Sequence, residues 1–157
     1  MPNFTEKKQQ YMHSLKKDSL DNITKIKEPL IYFKDEEIKI GHNYLKKIGT
    51  HEYNFICFNA RDKAFLNKYR SDRDWSYHDY RNSDIDDYSE AALEMTNRGY
   101  FVFRMGSVVE KSMSLHHPMV FDYAMSNSRD DFLDIWLVAN CHFCISTGTG
   151  TDAVANV

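Results

Sequence analysis

Apolar positions along this chain recur in blocks that switch between helical spacing and short continuous runs. In the first clear block, Ile38, Gly41, Leu45 and Ile48 share one helical face. Asp35, Glu36 and Glu37 stand where a helix start favours negative charge. Lys46, Lys47 and Gly49 stand where an end favours cations and a left-handed residue. Tyr53–Phe58 is then an apolar run of strand length. Residues 63–82 are polar and aromatic without a clear period, which predicts a long loop with a helical turn. Ser83-Asp84-Ile85-Asp86 reads as a capping box, followed by Ile85, Tyr88, Ala92 and Met95 at helical spacing and closed by Gly99. Tyr100–Met105 is a second strand, residues 107–118 a connection, and Met119–Tyr123 a short third strand. Ser128-Arg129-Asp130-Asp131 opens a helix whose inward positions are Phe132, Ile135, Trp136 and Ala139. Cys141–Ile145 is a further strand running into Ser146-Thr147-Gly148-Thr149-Gly150.

Strands alternating with helices predict an α/β fold, a Rossmann-like three-layer domain with a mostly parallel sheet covered on both faces. The strand runs are nearly all apolar, as burial on both faces requires. The domain is expected to span residues 29–157. Residues 1–28 form a polar, Lys-rich lead-in, helical or poorly ordered, in which Leu20, Ile23 and Ile26 have helix-like spacing. In open parallel sheets, ligands collect beyond the carboxyl ends of the strands. Polar clusters stand at three such ends: Asn59-Ala60-Arg61-Asp62, Arg104-Met105-Gly106-Ser107 and Ser146–Gly150.

Composition narrows the functional classes. With 14% aromatic and 42% hydrophobic residues the 157-residue chain has a globular profile. A net charge of −3, with acids and bases interleaved, gives no positive field for a nucleic-acid backbone, so no nucleic-acid partner is expected. Three cysteines form no disulfide framework and suit a reducing compartment. No apolar run reaches the roughly eighteen residues a transmembrane segment needs, and the N-terminus lacks a signal-peptide h-region. A cytoplasmic protein, working at most at the inner face of the membrane, is expected.

The candidate chemistry follows from the strand ends. Ser146–Gly150 offers glycines that let a ligand approach the backbone, amide N–H groups for phosphate, and hydroxyls; the alternative is a plain tight turn. It matches neither the Walker pattern nor the GxGxxG fingerprint. Arg61 and Arg104 offer bidentate contacts to phosphate oxygens, or else local ion pairs with Asp62 and Glu110. Asp74–Arg81 is dense in stacking and hydrogen-bonding groups: Tyr77, Asp79 and Arg81, together with Asn59, are candidate sugar or base contacts, and His78 is a candidate catalytic base. An aromatic loop packed over a sheet edge is the plainer account. The Cys141-His142-Phe143-Cys144 spacing does not imply zinc, because a strand sends its two thiols to opposite faces and no second ligand pair follows. His116-His117 reads as surface loop. No metal is expected.

The stretches FICFNARDKAFLNK, RDWSYHDYRNSDIDDY, RGYFVFRMGSVVEK and FLDIWLVANCHFCISTGTGTDAV, with the weaker EPLIYFKDEEIKIGHNYLKKIGT, resemble a bacterial family of glycosyltransferases associated with surface-polysaccharide loci. The likeness covers roughly residues 28–157. It implies the C-terminal, donor-binding half of a GT-B enzyme, with a site similar to that of fucosyltransferase-like proteins. Arg61 would then hold the donor diphosphate, Ser146, Thr147, Gly148, Thr149 and Gly150 would form the phosphate-side loop, and Arg104 and the Tyr77–Arg81 loop would flank it. The donor would be a nucleoside-diphosphate sugar, a GDP-sugar first, with no further cofactor. The acceptor would be a glycan or a lipid-linked glycan. The chain departs from a typical member at Asn59, where a His is expected. It is also expected to be truncated, since Val157 comes where the helix behind the glycine loop should begin. The alternatives are a catalytically inactive nucleotide-binding α/β module and an interaction domain presenting its aromatic loop to a partner.

Overall fold

The computed structural model describes residues 30–155, so the lead-in expected over residues 1–28 lies outside the described residues. Its elements run α1 (Asp35–Ile48), β1 (Phe55–Asn59), α2 (Ala64–Tyr69), 3-10 turns at Ser76–Arg81 and Ile85–Tyr88, α3 (Ser89–Asn97), β2 (Phe101–Arg104), β3 (Val120–Phe121), a 3-10 turn at Tyr123–Met125, α4 (Asp131–Asn140), β4 (Cys144–Ser146) and α5 (Asp152–Ala155). Residues 33–155 form one compact unit.

Among the described residues the sheet has four strands in the order β3-β2-β1-β4, all parallel. The fold is an α/β, Rossmann-like three-layer domain. All five residues of β1 are buried, and successive side chains go to opposite faces. Phe55 and Cys57 join Phe103, Tyr123, Leu133, Trp136 and Leu137 under α1 and α4. Ile56 and Phe58 join Val102, Ile85, Ala92 and Met113 under α3. Fully burying an Ile or Phe side chain contributes about 1.5–3 kcal/mol, so β1 anchors both layers at once. The chain steps from β1 out to β2 and β3, then returns through α4 to pair β4 on the other side of β1. Right-handed crossovers run in opposite directions across a sheet must place their helices on opposite faces, as α3 and α4 are.

The expected elements are present, with shifted ends. α1 keeps the inward face through Gly41 and Leu45, and Gly49 ends it in the left-handed region at φ 92°. The segment expected as a loop over residues 63–82 contains α2 and a 3-10 turn. Short-range turn bonds order it, such as Trp75 Nε1–H donating to the Arg70 carbonyl (2.7 Å). The helix starts are capped by single aspartates: Asp84 accepts from Asp86 N, and Asp130 from Leu133 N. Ile135, expected inward, is 43% exposed, while Leu133, Leu137 and Val138 are buried. The two thiols of the CxxC spacing do not diverge. Cys141 and Cys144 both pack on the cluster that contains Cys57, because Cys141 ends α4 and the extended strand begins only at Cys144. Burial pushes the Cys57 thiol well above its ordinary pKa, so it behaves as an apolar core group. No described helix is long and apolar enough to cross a membrane.

Two contacts fix the layers. Gly41 lets α1 close directly onto Trp136, since a Cβ built there would lie 2.1 Å from the indole ring. Arg104, at the end of β2, is 1% exposed and pairs through Nη1 with Asp122 Oδ1 at 2.9 Å. The other oxygen of Asp122 accepts from Met113 N at 2.7 Å.

Gly41→Ala is expected to cost about 1–3 kcal/mol, because the walled-in indole cannot yield to the added methyl; urea denaturation measures it. Asp122→Ala strands the Arg104 charge in the interior and should cost about 3 kcal/mol or more. The double variant Arg104→Met/Asp122→Asn should recover most of that loss in the same titration, since it removes the buried charge itself.

Candidate functional site

The strand order reverses at β1, and the crevice this leaves beyond β1 and β4 is where open α/β sheets take ligands. A cavity of about 420 Å³ lies there. Its floor is Asn59, Ala60, Arg61 and Asp62, one wall is Gly106–Val109 after β2, another is Thr149–Thr151 after β4, and Phe65 and Leu66 of α2 close the side. Three segments are knitted together below it. Thr147 N donates to the Asn59 carbonyl (3.1 Å), and Ser83 N to the Arg61 carbonyl (2.9 Å). Arg61 N donates to Thr147 Oγ1 at 2.8 Å. Asn59, only 5% exposed, donates its amide to Thr151 Oγ1, and Thr149 and Thr151 share a hydroxyl contact of 2.8 Å.

Arg61 carries the distinctive charge of this site. Its guanidinium makes no ion pair or hydrogen bond with the described residues, and its Nε is shut off from solvent without an acceptor. Neighbouring Asp62 does not neutralise it in an ion pair. Both Asp62 oxygens accept backbone N–H groups, from Ala64 at 2.9 Å and from Glu110 at 2.8 Å. Arg104 and Arg129 also carry a buried Nε without an acceptor, but each is paired with a carboxylate; no carboxylate among the described residues pairs with Arg61.

The connection after β2 has little regular structure, yet it is pinned at three points. Glu110 N bonds Asp62, Met113 N bonds Asp122, and Ser114 N bonds Asp86 at 2.7 Å. Lys111 adds contacts to Asp84 (2.7 Å) and Asp86 (2.8 Å). The Lys111 ammonium, with the Ser114 N–H and hydroxyl, lowers the Asp86 carboxyl to about 2, and the two aspartates push Lys111 up to about 12. The wall Gly106–Val109 therefore runs between β2 and the anchored Glu110.

The structure divides the expected site residues into groups. Asn59, Arg61, Thr149 and Gly150 line the cavity, whereas Ser146, Thr147 and Gly148 sit behind it as scaffold. Thr147, Gly148 and Thr149 have their N–H groups engaged by the Asn59 carbonyl, Ser146 Oγ and Asp152 Oδ2. The loop thus turns toward the cavity from Thr149 onward, and Thr151 belongs with it. Arg104 is spent on Asp122, not on Glu110, and the cluster that holds it contributes Gly106 and Ser107 instead. Glu110 pairs with Lys63 at 3.5 Å. Arg81 does not line the cavity; its Nη2 donates to the Gly148 carbonyl at 3.0 Å and braces the loop, with Gly148 at φ 85°. His78 and Asp79 lie in a separate depression of about 210 Å³ beside α2, and Tyr77, 63% exposed, leans on His78 with ring centroids 4.1 Å apart.

The apolar wall residues Phe65, Leu66, Val108 and Val109 were not legible as site residues. Only the strand-end position of Gly106-Ser107 and the aperiodic aromatic segment after Arg61 pointed toward them. Among the described residues, no group of three or more His, Cys, Asp or Glu side chains is arranged to hold a metal ion. The chain matches no known family model, no curated protein and no solved structure.

Proposed function

We propose that this domain binds a nucleoside-diphosphate sugar in the crevice beyond β1 and β4, as the donor half of a glycosyltransferase acting on a glycan or lipid-linked acceptor. The observation that carries the reading is the uncommitted Arg61 guanidinium at the floor of that crevice, with an acceptor-free Nε. Its chemistry is that of a diphosphate ligand: a fixed planar cation that stays charged and meets two oxygens at once. Thr149, Gly150 and Thr151 line the same cavity. The remaining lining is largely apolar, from Phe65, Leu66, Val108 and Val109, which suits the flat base of a nucleotide.

In glycosyl transfer the bond from the anomeric carbon to the diphosphate oxygen breaks and negative charge builds on the leaving group. Arg61 stabilises that charge as a donor already in place, which is electrostatic catalysis. Thr147 and Arg81 act behind it by fixing the loop, and Arg104 has no part in the contact. The sugar nucleotide class rests on the sequence resemblance; the anion rests on the geometry.

Calorimetric titration with GDP, UDP and their sugars tests the proposal. One nucleotide class should bind saturably, and Arg61→Ala should weaken it about tenfold or more, the loss of a charge-assisted contact. Arg61→Lys should restore only part, because an ammonium cannot make the bidentate contact. A folded chain that takes up no nucleotide, or an Arg61→Ala variant that binds as well as the native chain, would sink the reading.

A further inference from the structure

Beside the nucleotide cavity, and sharing Leu66 with it, lies the smaller depression of about 210 Å³ between α2 and the 3-10 turn Ser76–Arg81. We infer that it is a carbohydrate subsite, taking one pyranose ring of a glycan. Three observations lead there. Trp75 and His78 lie nearly parallel, at 16° with centroids 5.9 Å apart, and Tyr77 packs on both, at 6.0 Å from Trp75 and 4.1 Å from His78. Trp75 and His78, stacked on each other, both line the depression, and Tyr77 packs beside them. The C–H face of a pyranose is apolar with slightly positive hydrogens, and it settles against the negative face of such rings.

The rest of the lining is polar in both senses. Asn67 of α2 carries an exposed side-chain amide, Lys63 an ammonium that also pairs with Glu110 at 3.5 Å, and Asp79 keeps one oxygen beyond the one accepting from Asn82 at 3.0 Å. Alternating hydroxyls of a sugar ring need such a mixture of donors and acceptors, whereas an apolar ligand would strand it. The third observation is His78 itself: its Nδ1 is buried and has no hydrogen-bond partner. A group of that kind calls for a partner from outside the described residues, and a sugar hydroxyl can either give or accept a hydrogen bond there.

The volume holds a single ring, so the subsite grips one sugar and leaves the rest of the chain in solvent. Its position next to the Arg61 cavity makes it a place for the acceptor. That assignment rests on the proposed function, while the sugar affinity itself does not.

The chain has two tryptophans, which makes the test direct. Trp75 lines the depression, with its indole N–H bonded to the Arg70 carbonyl, and Trp136 is fully buried in the core and reports that the chain is folded. The ¹⁵N-labelled full chain is titrated with methyl glucopyranoside, methyl galactopyranoside and methyl glucuronide while both indole resonances are followed. The Trp75 signal should move saturably for at least one of them, with a dissociation constant on the order of a millimolar, and Trp136 should stay still. Asn67→Ala, a change that favours the helix it sits in, should weaken that binding about threefold or more. Arg61→Ala should leave the glycoside titration unaltered, so a failed nucleotide site and a failed sugar site give separate results. A Trp75 resonance indifferent to all three glycosides overturns the inference. So does a titration that both Asn67→Ala and His78→Ala leave unchanged.

Discussion

The pairing of β4 with the outer side of β1 is the contact on which the candidate site depends. It puts Asn59 level with Ser146, so the segment leaving β1 and the segment leaving β4 emerge side by side. Three contacts at the cavity follow from that register: Thr147 N on the Asn59 carbonyl, Arg61 N on Thr147 Oγ1, and the Asn59 amide on Thr151. The pairing is short, with three residues in β4, and it is held by what lies under it. α4 delivers β4 to the sheet, and its buried Trp136 and Leu137 pack in the same cluster as Phe55 and Cys57 of β1. Gly41 is part of this constraint, because a larger residue would lift α1 away from Trp136.

Electrostatics at the cavity follow from how the carboxylates around it are employed. Asp62, Asp86 and Asp122 each accept a backbone N–H from the connection after β2. They fasten an irregular wall that has no ladder of its own. Asp122 also neutralises Arg104 in the interior. No such carboxylate is paired with Arg61. At an effective dielectric near 20, a phosphate oxygen about 4 Å from that cation gains on the order of 4 kcal/mol before desolvation is subtracted. Two arginines at neighbouring strand ends thus have opposite fates: one closes the fold and the other faces the cavity.

This division explains what was readable from the chain. The class of fold was legible because β1, β2 and the helices follow periodicity and capping, which are local. The strand ends were legible as the place to look, since parallel sheets expose only that edge to ligands. Which arginine did what was not legible. Arg104 and Asp122 are eighteen positions apart, and nothing local announces that β3 brings them together. The Ser146–Gly150 loop follows β4 as expected, but only its later part lines the cavity, from Thr149 to Thr151, while Arg81, 67 positions away, holds Gly148 from behind. The divergence expected of Cys141 and Cys144 failed for a simpler reason. Alternation applies only within an extended strand, and Cys141 precedes it.

The segment after β1 shows why an aperiodic stretch need not be a passive one. Between Arg61 and Ser83 no apolar period exists to bury a face, so the residues are free to be chosen for what they present. α2 turns Phe65 and Leu66 toward the larger cavity and, with Leu66 and Asn67, also borders the smaller depression. In the 3-10 turn that follows, His78 stacks on the preceding Trp75 beside that depression, and Arg81 braces the Gly148 carbonyl. The same short stretch therefore borders both recesses and supports the loop between them.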